Sequence, residues 1–376
     1  MIIRKLLFLV LFAGLIGCTQ TTSKDDSNLP NVRNFDISDV AEISLSQDDT
    51  FRGSQNAEVT KIGDIATDEQ GNIYFSDVFK NKIHVVDSFG LPIATMGRSG
   101  GRAGEFYKLG EIEVEGDLVY AFDEERVAMN LYHTNEFDFR SMVTFSGQGL
   151  NHDSLQLNPY SAQIVSENEF LVGFQQVNSP TDRQLYYFRT DNNAENYSEQ
   201  LLTYSNKKLF VEEGSEGITI MMMPYERETL LQTDAAGNLY TLFTEDFLVK
   251  KFDLDGKYLE AWHYPFKKRR LNKSDAIDMY TETDVRRAIR GDNAPNTWPA
   301  VAHYFIDKNN RHWVATITQN LENYTWYVLN ADGELKGNFE LSRDFELMAV
   351  RDDQLYAKKF NPRTYAEEII RFYVAW

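Results

Sequence analysis

The 376 residues carry 38 Lys and Arg against 57 Asp and Glu, a formal net charge of −19, with 42% hydrophobic and 13% aromatic residues. That apolar content is ample for a folded core and excludes a disordered chain. So acidic a surface disfavours nucleic acid, which needs clustered Lys and Arg against phosphate, and the length predicts either several domains or a repeat architecture.

The chain starts with a short basic segment, "MIIRK", followed by "LLFLVLFAGLI", eleven residues that are apolar but too few to span a bilayer as a helix. This is the pattern of an export signal. It ends in "LIGC", Leu15 to Cys18, which resembles the lipobox of bacterial lipoproteins. The resemblance implies a signal peptide over 1–17 and a diacylglyceryl group on Cys18, which then becomes the first residue. Cys18 is the only Cys in the chain, and lipidation accounts for a lone thiol in an exported protein. Each buried methylene adds about 0.8 kcal/mol to membrane affinity, so two acyl chains anchor stably. Residues 18–36, polar apart from a few positions, are expected to be a lipidated flexible tether. Thr19 departs from the Asp-at-plus-two pattern that retains lipoproteins in the inner membrane. The expected address is therefore the outer membrane, on its periplasmic or cell-surface side. "KDD" at Lys24 to Asp26 is similar to the Lys-acid-acid tag of surface-exported lipoproteins.

The body is expected over 37–376. Its first element, "DVAEISLSQ" (39–47), alternates apolar Val40 or Ala41, Ile43 and Leu45 with polar residues, as a strand does. "DEQGNIYFSDVFKNKIHVVDSFG" (68–90) then sets Asp-x-x-Gly at Asp68 and again at Asp87, 19 residues on. An acid at the first position and Gly at the fourth suit a hairpin turn capped by the acid side chain. Two such turns flanking apolar runs make three strands. The device recurs at Asp234 and Asp253, also 19 apart, and at Asp307 and Asn330. Looser copies cover 114–138, 166–192 and 351–376, so that Tyr74, Tyr120, Leu171, Tyr240, Trp313 and Tyr356 anchor six second strands. A fourth strand follows each copy except the last, whose third strand, "EIIRFYVAW", meets the C-terminus.

Four antiparallel strands at a period of roughly 45 residues is a propeller blade. The prediction is an all-β, six-bladed β-propeller with four-stranded antiparallel blades, closed by the N-terminal strand 39–47 joining the C-terminal blade. The acids at the turns read as caps rather than calcium ligands.

"DEQGNIYFSDVFKNKIHVVDSFGLPIATMGRSGGRAGEF" resembles an NHL repeat, whose core reads Asp-x-x-Gly-Asn-hydrophobic-Tyr and ends in a Gly-rich link. The match is good in copies one and four, partial in five and weak in the others. With the lipobox in front, the chain resembles the NHL-like or TolB-like six-bladed propeller lipoproteins of Gram-negative bacteria. The resemblance implies fold, address and a habit of ligand binding.

"GRSGGRAGEF" (97–106) lacks the Lys-Ser/Thr of a phosphate loop and no helical pattern follows it. It reads as a flexible link, in which Arg98 and Arg102 are candidates to meet an anionic group at the rim. The inner strands offer Asp64, Glu111, Gln163, Gln232, His303 and Glu346 to the channel. Calcium-dependent lactonases of this architecture ring the channel with acids and amides, and three carboxylates here leave calcium open as a cofactor. Zinc is not expected, because of six His only His303 lies clearly on an inner strand, and no pair, His152 included, has ligand spacing. No Gly-x-Ser-x-Gly elbow is present.

Two insertions break the rhythm, near 205–228 and 266–300. The first holds Met221 to Met223 and Tyr225. The second holds a basic run at 267–273, in which five of seven residues are Lys or Arg, and a helical pattern with Ser274 as N-cap and Gly291 as stop. The run reads as a solvated face or as a contact for an acidic partner or lipid headgroups. The functional expectation is a membrane-anchored, non-enzymatic module binding a protein, peptide or glycan, without catalytic residues or nucleic acid. The alternatives are a calcium-dependent hydrolase or lyase and a structural scaffold in an envelope complex.

Overall fold

The computed structural model describes residues 28–53, 59, 61–148, 150, 156–214 and 217–376, and the side chains of these except 212–219. The signal segment, Cys18 and His152 lie outside the described residues.

Two short strands come first, β1 (Val32–Asn34) and β2 (Ser44–Gln47). Six four-stranded blades follow in chain order. Blade 1 holds β3 (Ile62–Thr67), β4 (Ile73–Asp77), β5 (Lys82–Val86) and β6 (Pro92–Met96). Blade 2 holds β7 (Leu109–Glu115), β8 (Leu118–Asp123), β9 (Ala128–His133) and β10 (Phe139–Thr144). Blade 3 holds β11 (Asn158–Ser166), β12 (Glu169–Ser179), β13 (Asp182–Asp191) and β14 (Leu202–Ser205). A ribbon, β15 (Phe210–Gly214) and β16 (Gly217–Met221), precedes blade 4, which holds β17 (Thr229–Thr233), β18 (Leu239–Phe243), β19 (Leu248–Phe252) and β20 (Tyr258–His263). Two helices, α1 (Lys273–Asp278) and α2 (Thr283–Gly291), precede blade 5, made of β21 (Val301–Ile306), β22 (His312–Thr316), β23 (Asn323–Leu329) and β24 (Leu335–Ser342). Blade 6 holds β25 (Phe345–Arg351), β26 (Gln354–Asn361) and β27 (Ala366–Ala375), and its fourth strand is β2.

Closure runs as the alternation predicts. β2 pairs antiparallel with β27, Ser44 opposite Ala375 and Gln47 opposite Phe372. The strand is shorter than 39–47, because residues 41–43 first run along blade 5: Asn338 donates its amide to Ala41 O and Ile43 its own to Asn338 O. Ile43 is buried against Gly337. The tether assignment also needs correction at its end. Val32–Asn34 is a strand lying parallel to β20, register Val32 to Ala261, and makes blade 4 five-stranded. Its backbone groups satisfy the open edge that β20 would otherwise expose.

Each neighbouring pair of blades buries its own apolar cluster. Tyr74 and Val85 meet Ile112 and Val119 between blades 1 and 2, and Tyr120 and Leu131 meet Ile164 and Phe170 between 2 and 3. Leu171 meets Leu231 and Leu239, Trp262 meets Tyr304 and Val314, and Trp313 and Phe339 meet Leu355 and Phe372. Ile62 and Phe75 meet Tyr356 and Ile369, which completes the circle.

The acids of the turns act as caps. Asp68 accepts the amides of Gln70 and Asn72 through Oδ1, and Asn72 Nδ2 and the Tyr74 hydroxyl through Oδ2. Asp234 repeats this with Ala236, Asn238 and Tyr240. Asp307 does so with Asn309, Arg311 and the Trp313 indole. The Gly at the fourth position is needed for its backbone: Gly333 sits at φ +79°, where a Cβ would also run into the Trp262 ring.

Candidate functional site

The six inner strands β3, β7, β11, β17, β21 and β25 surround the channel. Five of them carry a bulge, between Ile62 and Ile65, Leu109 and Ile112, Pro159 and Ser161, Val301 and His303, and Leu347 and Ala349. Bulges re-aim side chains, and Asp64 and Glu111 both fall inside one.

Asp64 is committed to the scaffold. Its Oδ1 accepts the Ile65 amide at 2.8 Å and its Oδ2 the Ile112 amide at 2.9 Å, which ties blade 1 to blade 2. Burial pushes its carboxyl up to about 7; the two amide bonds oppose the rise and the Glu111 and Glu113 charges add to it. Glu111 and Glu113 keep accessible surface yet are ringed by protein, and that enclosure raises both carboxyls. Glu113 is 3.6 Å from Lys308 Nζ, which also pairs with Glu115. Lys308 belongs to the first turn of blade 5, opposite blade 2 in a ring of six. This ion pair therefore crosses the channel at the end where the inner strands finish.

The other end, where the inner strands begin, is the mouth. His303 stands edge-on to Tyr324 (centroids 5.2 Å apart) and parallel to Trp326 (6.1 Å). Enclosure pulls the His303 imidazole below its ordinary value, and the Arg343 and Lys207 charges act in the same direction while Glu346 opposes them. Arg343 lies over the Tyr324 ring, 4.3 Å from its centroid. Lys207 pairs with Glu228 at 2.7 Å and Lys358 with Glu346 at 3.1 Å.

Both insertions meet on this side. Met221, Met223 and Tyr225 pack with Leu271, Ala276, Ala288, Ile289 and Trp298, and this core extends to Ala302, Ile317 and Tyr324 of blade 5. Tyr225 donates its hydroxyl to Asp292 Oδ2 at 2.6 Å, and Arg227 binds Glu245 and Thr297 O. The two excursions thus form one cap. Met223 and Tyr225 are buried in its core. The helical pattern resolves into two helices: Asn272 precedes α1 and Ser274 lies inside it, while Gly291 ends α2 as expected. The basic run is largely spent within the protein. Lys268 pairs with Glu245 and Asp246, Arg269 with Asp275, and Lys273 donates to Arg290 O and Asp292 O.

The remaining sequence candidates stand apart. Gln163 lies half-buried on β11 and Gln232 half-buried on β17. Arg98 and Arg102 line a shallow groove of about 280 Å³ with Thr95, Tyr132, Phe137 and Phe139, between the outer strands of blades 1 and 2. Arg98 is bidentate to Glu105 Oε1, through Nε at 2.9 Å and Nη2 at 2.7 Å. The Gly-rich link around them is a tied loop: Glu105 also accepts the Arg102 amide, and Arg126 donates to Gly101 O, Arg102 O and Glu105 O. Among the described residues, the three His, Asp or Glu side chains grouped closely enough to share a cation are His133, Glu136 and Asp138, on blade 2 and away from the channel. The channel acids do not converge in this way.

The structure therefore brings together His303 and Glu346, which the sequence singled out, with Arg343, Tyr324 and Lys207, which it did not. Arg343 sits in "LSRDFEL" between two blades. No spacing or motif marks that position.

No family model matches the chain, and no curated protein matches it by sequence. Solved structures match by fold. A protein from Bacteroides fragilis described as exported is 11% identical, with a TM-score of 0.51, covering 92% of this chain and 99% of its own. A member of the DUF4221 family from Bacteroides vulgatus is 12% identical, with a TM-score of 0.53, covering 90% of this chain and 99% of its own.

Proposed function

We propose that the chain is an exported lipoprotein, anchored at the outer membrane through Cys18, that binds ligand at its capped channel mouth without transforming it. One observation carries the binding role. The ring closes without the two insertions, and blades 5 and 6 are joined by Arg343 and Asp344 alone. Yet the chain builds a shared apolar core from Phe210, Met221, Met223 and Tyr225 with residues of 271–298 on the mouth side of the channel. A cap of this size adds nothing to closure and shields the mouth, as expected of a ligand site.

The non-enzymatic part rests on how the inner-strand acids are used. Asp64 has both oxygens on backbone amides, and Glu113 and Glu115 share Lys308. A calcium site needs six to eight oxygens turned to one point. The lipobox supports the address, as does the exported Bacteroides fragilis protein of like fold.

Two experiments test the reading. Cys18→Ser is expected to move the protein from the membrane fraction to a soluble exported one; tight membrane retention of the variant overturns the anchor. Incubation with calcium and dihydrocoumarin, a simple lactone, is expected to give no hydrolysis above buffer. Turnover proportional to protein and abolished by a chelator would establish the calcium-dependent hydrolase instead.

A further inference from the structure

Among the described residues, Arg343 is the mouth's uncompensated charge. Its amide donates to Glu322 O, which fixes the backbone. Its Nε and Nη2 are shielded from water and have no hydrogen-bond partner among the described residues. These two atoms form one edge of the guanidinium, with parallel N–H bonds spaced like the two oxygens of a carboxylate. Its neighbours are occupied: Lys207 by Glu228, Glu346 by Lys358, and Arg269 by Asp275. Among the described residues the local count leaves a single positive charge.

Leaving a charged donor edge buried and unpaired is costly, and among the described residues no acid relieves it. The surroundings are aromatic. Tyr324 covers one guanidinium face at 4.3 Å, His303 stands against Tyr324, and Trp326 lies parallel to His303. Trp326 is only 2% exposed, and its indole N–H is likewise without a partner.

We infer that the capped mouth binds a small organic monocarboxylate, its two oxygens taken by Nε and Nη2 of Arg343 and its apolar or aromatic body lying against His303 and Tyr324. This rests on the reading of the mouth as a binding site and names the ligand class. One net positive charge matches one carboxylate and leaves a phosphate dianion half neutralised. Because the edge is shielded from water, the ligand enters when the cap moves away from Tyr324, which belongs to the cap's own core.

The test uses benzoate and indole-3-acetate as probes, with benzamide as the neutral counterpart and phenylphosphate as the dianion. Calorimetric titration and melting curves are recorded for the wild type, Arg343→Gln and Arg343→Lys. Either carboxylate is expected to raise the wild-type melting temperature, with at least tenfold weaker binding in Arg343→Lys and no response in Arg343→Gln. Arg343→Gln without ligand is expected to melt no lower than the wild type, since an unpaired buried cation has been removed. A structural role predicts the opposite, so a clear fall in its melting temperature overturns the proposal, as does equal carboxylate binding by wild type and variant. Binding of benzamide or phenylphosphate but neither carboxylate overturns the ligand class while leaving the mouth a binding site. Binding of none of the four overturns the ligand class, and the lactone assay above then decides independently whether the protein is an enzyme.

Discussion

Arg371, on the third strand of blade 6, donates through Nε (3.0 Å) and Nη2 (2.6 Å) to Asp48 Oδ2, just past the end of the closing strand β2. Both side chains are buried. Arg371 Nη1 also reaches Ser88 O of blade 1 at 2.6 Å, so one guanidinium joins the N-terminal segment, the last blade and the first. Removing one partner of a buried pair strands the other and costs about 3–5 kcal/mol. Asp48→Ala is expected to lose that much in urea unfolding; a loss below about 1 kcal/mol would show the pair to be incidental. Burial works against the Asp48 charge, but the Thr50 and Arg371 hydrogen bonds hold its carboxyl far below the usual range. A depressed carboxyl stabilises the fold above the unfolded value, near pH 4, and loses that stabilisation as pH falls further. Asp48→Ala should therefore approach the wild type in stability under acid.

Deleting residues 37–47 removes β2 and leaves the β27 edge unpaired beside Phe372 and Val374, both part of the blade 5–6 core. An exposed apolar edge is a template for pairing with other chains, so aggregation or a large fall in melting temperature is expected. Replacing 32–34 with Gly residues removes only a fifth strand from a complete blade and should cost far less. Equal, small effects in both variants would show that β2 does not close the ring.

The fold was legible because its turns are written in chemistry that acts locally. Asp68, Asp234 and Asp307 must satisfy amides within four residues of themselves, so spacing alone exposes the hairpins. Closure was legible from a strand pattern at 39–47 that no preceding copy used. The mouth was not. Arg343 lies over Tyr324 from just past the end of the adjacent strand and acts by its charge on His303 of β21, at the far side of the blade, and neither relation is written in a turn motif. Lys308 crosses the channel to a residue 193 positions away. The basic run misleads for a related reason, since Lys268 and Arg269 are balanced by Glu245 and Asp275 from outside it.

Asp64 gives the channel wall a pH dependence of opposite sign to that of Asp48. Its carboxyl is raised by burial to about 7. The folded state then holds a proton that the unfolded chain has released, so stability is greatest below about pH 4 and falls as pH rises through 7. The slope from one proton is at most about 1.4 kcal/mol per pH unit. Asp64→Asn cannot ionise and should flatten stability between pH 5 and 7.5, whatever its stability at any single pH. Two parallel curves would show that Asp64 does not titrate in this window.

Lys308 faces Glu113 and Glu115 from the opposite blade. The side chains are about half exposed, and pairs of that kind contribute only about 0–1 kcal/mol, so Lys308→Ala should barely destabilise the protein at pH 5. The effect should grow with pH. Enclosure already raises the Glu113 carboxyl, and the Lys308 charge is what opposes that rise, with Glu115 and Glu111 reinforcing it. Without Lys308 the folded-state value climbs further, and a raised carboxyl loses its stabilisation as pH increases. The gap between wild type and variant should therefore widen from pH 5 to pH 8 and narrow again in about 1 M salt, where charges more than roughly 3 Å apart are screened. Lys308→Arg, which keeps the charge, should follow the wild type. A gap independent of both pH and salt would show that Lys308 merely lies beside these acids and that the channel end is not held by charge.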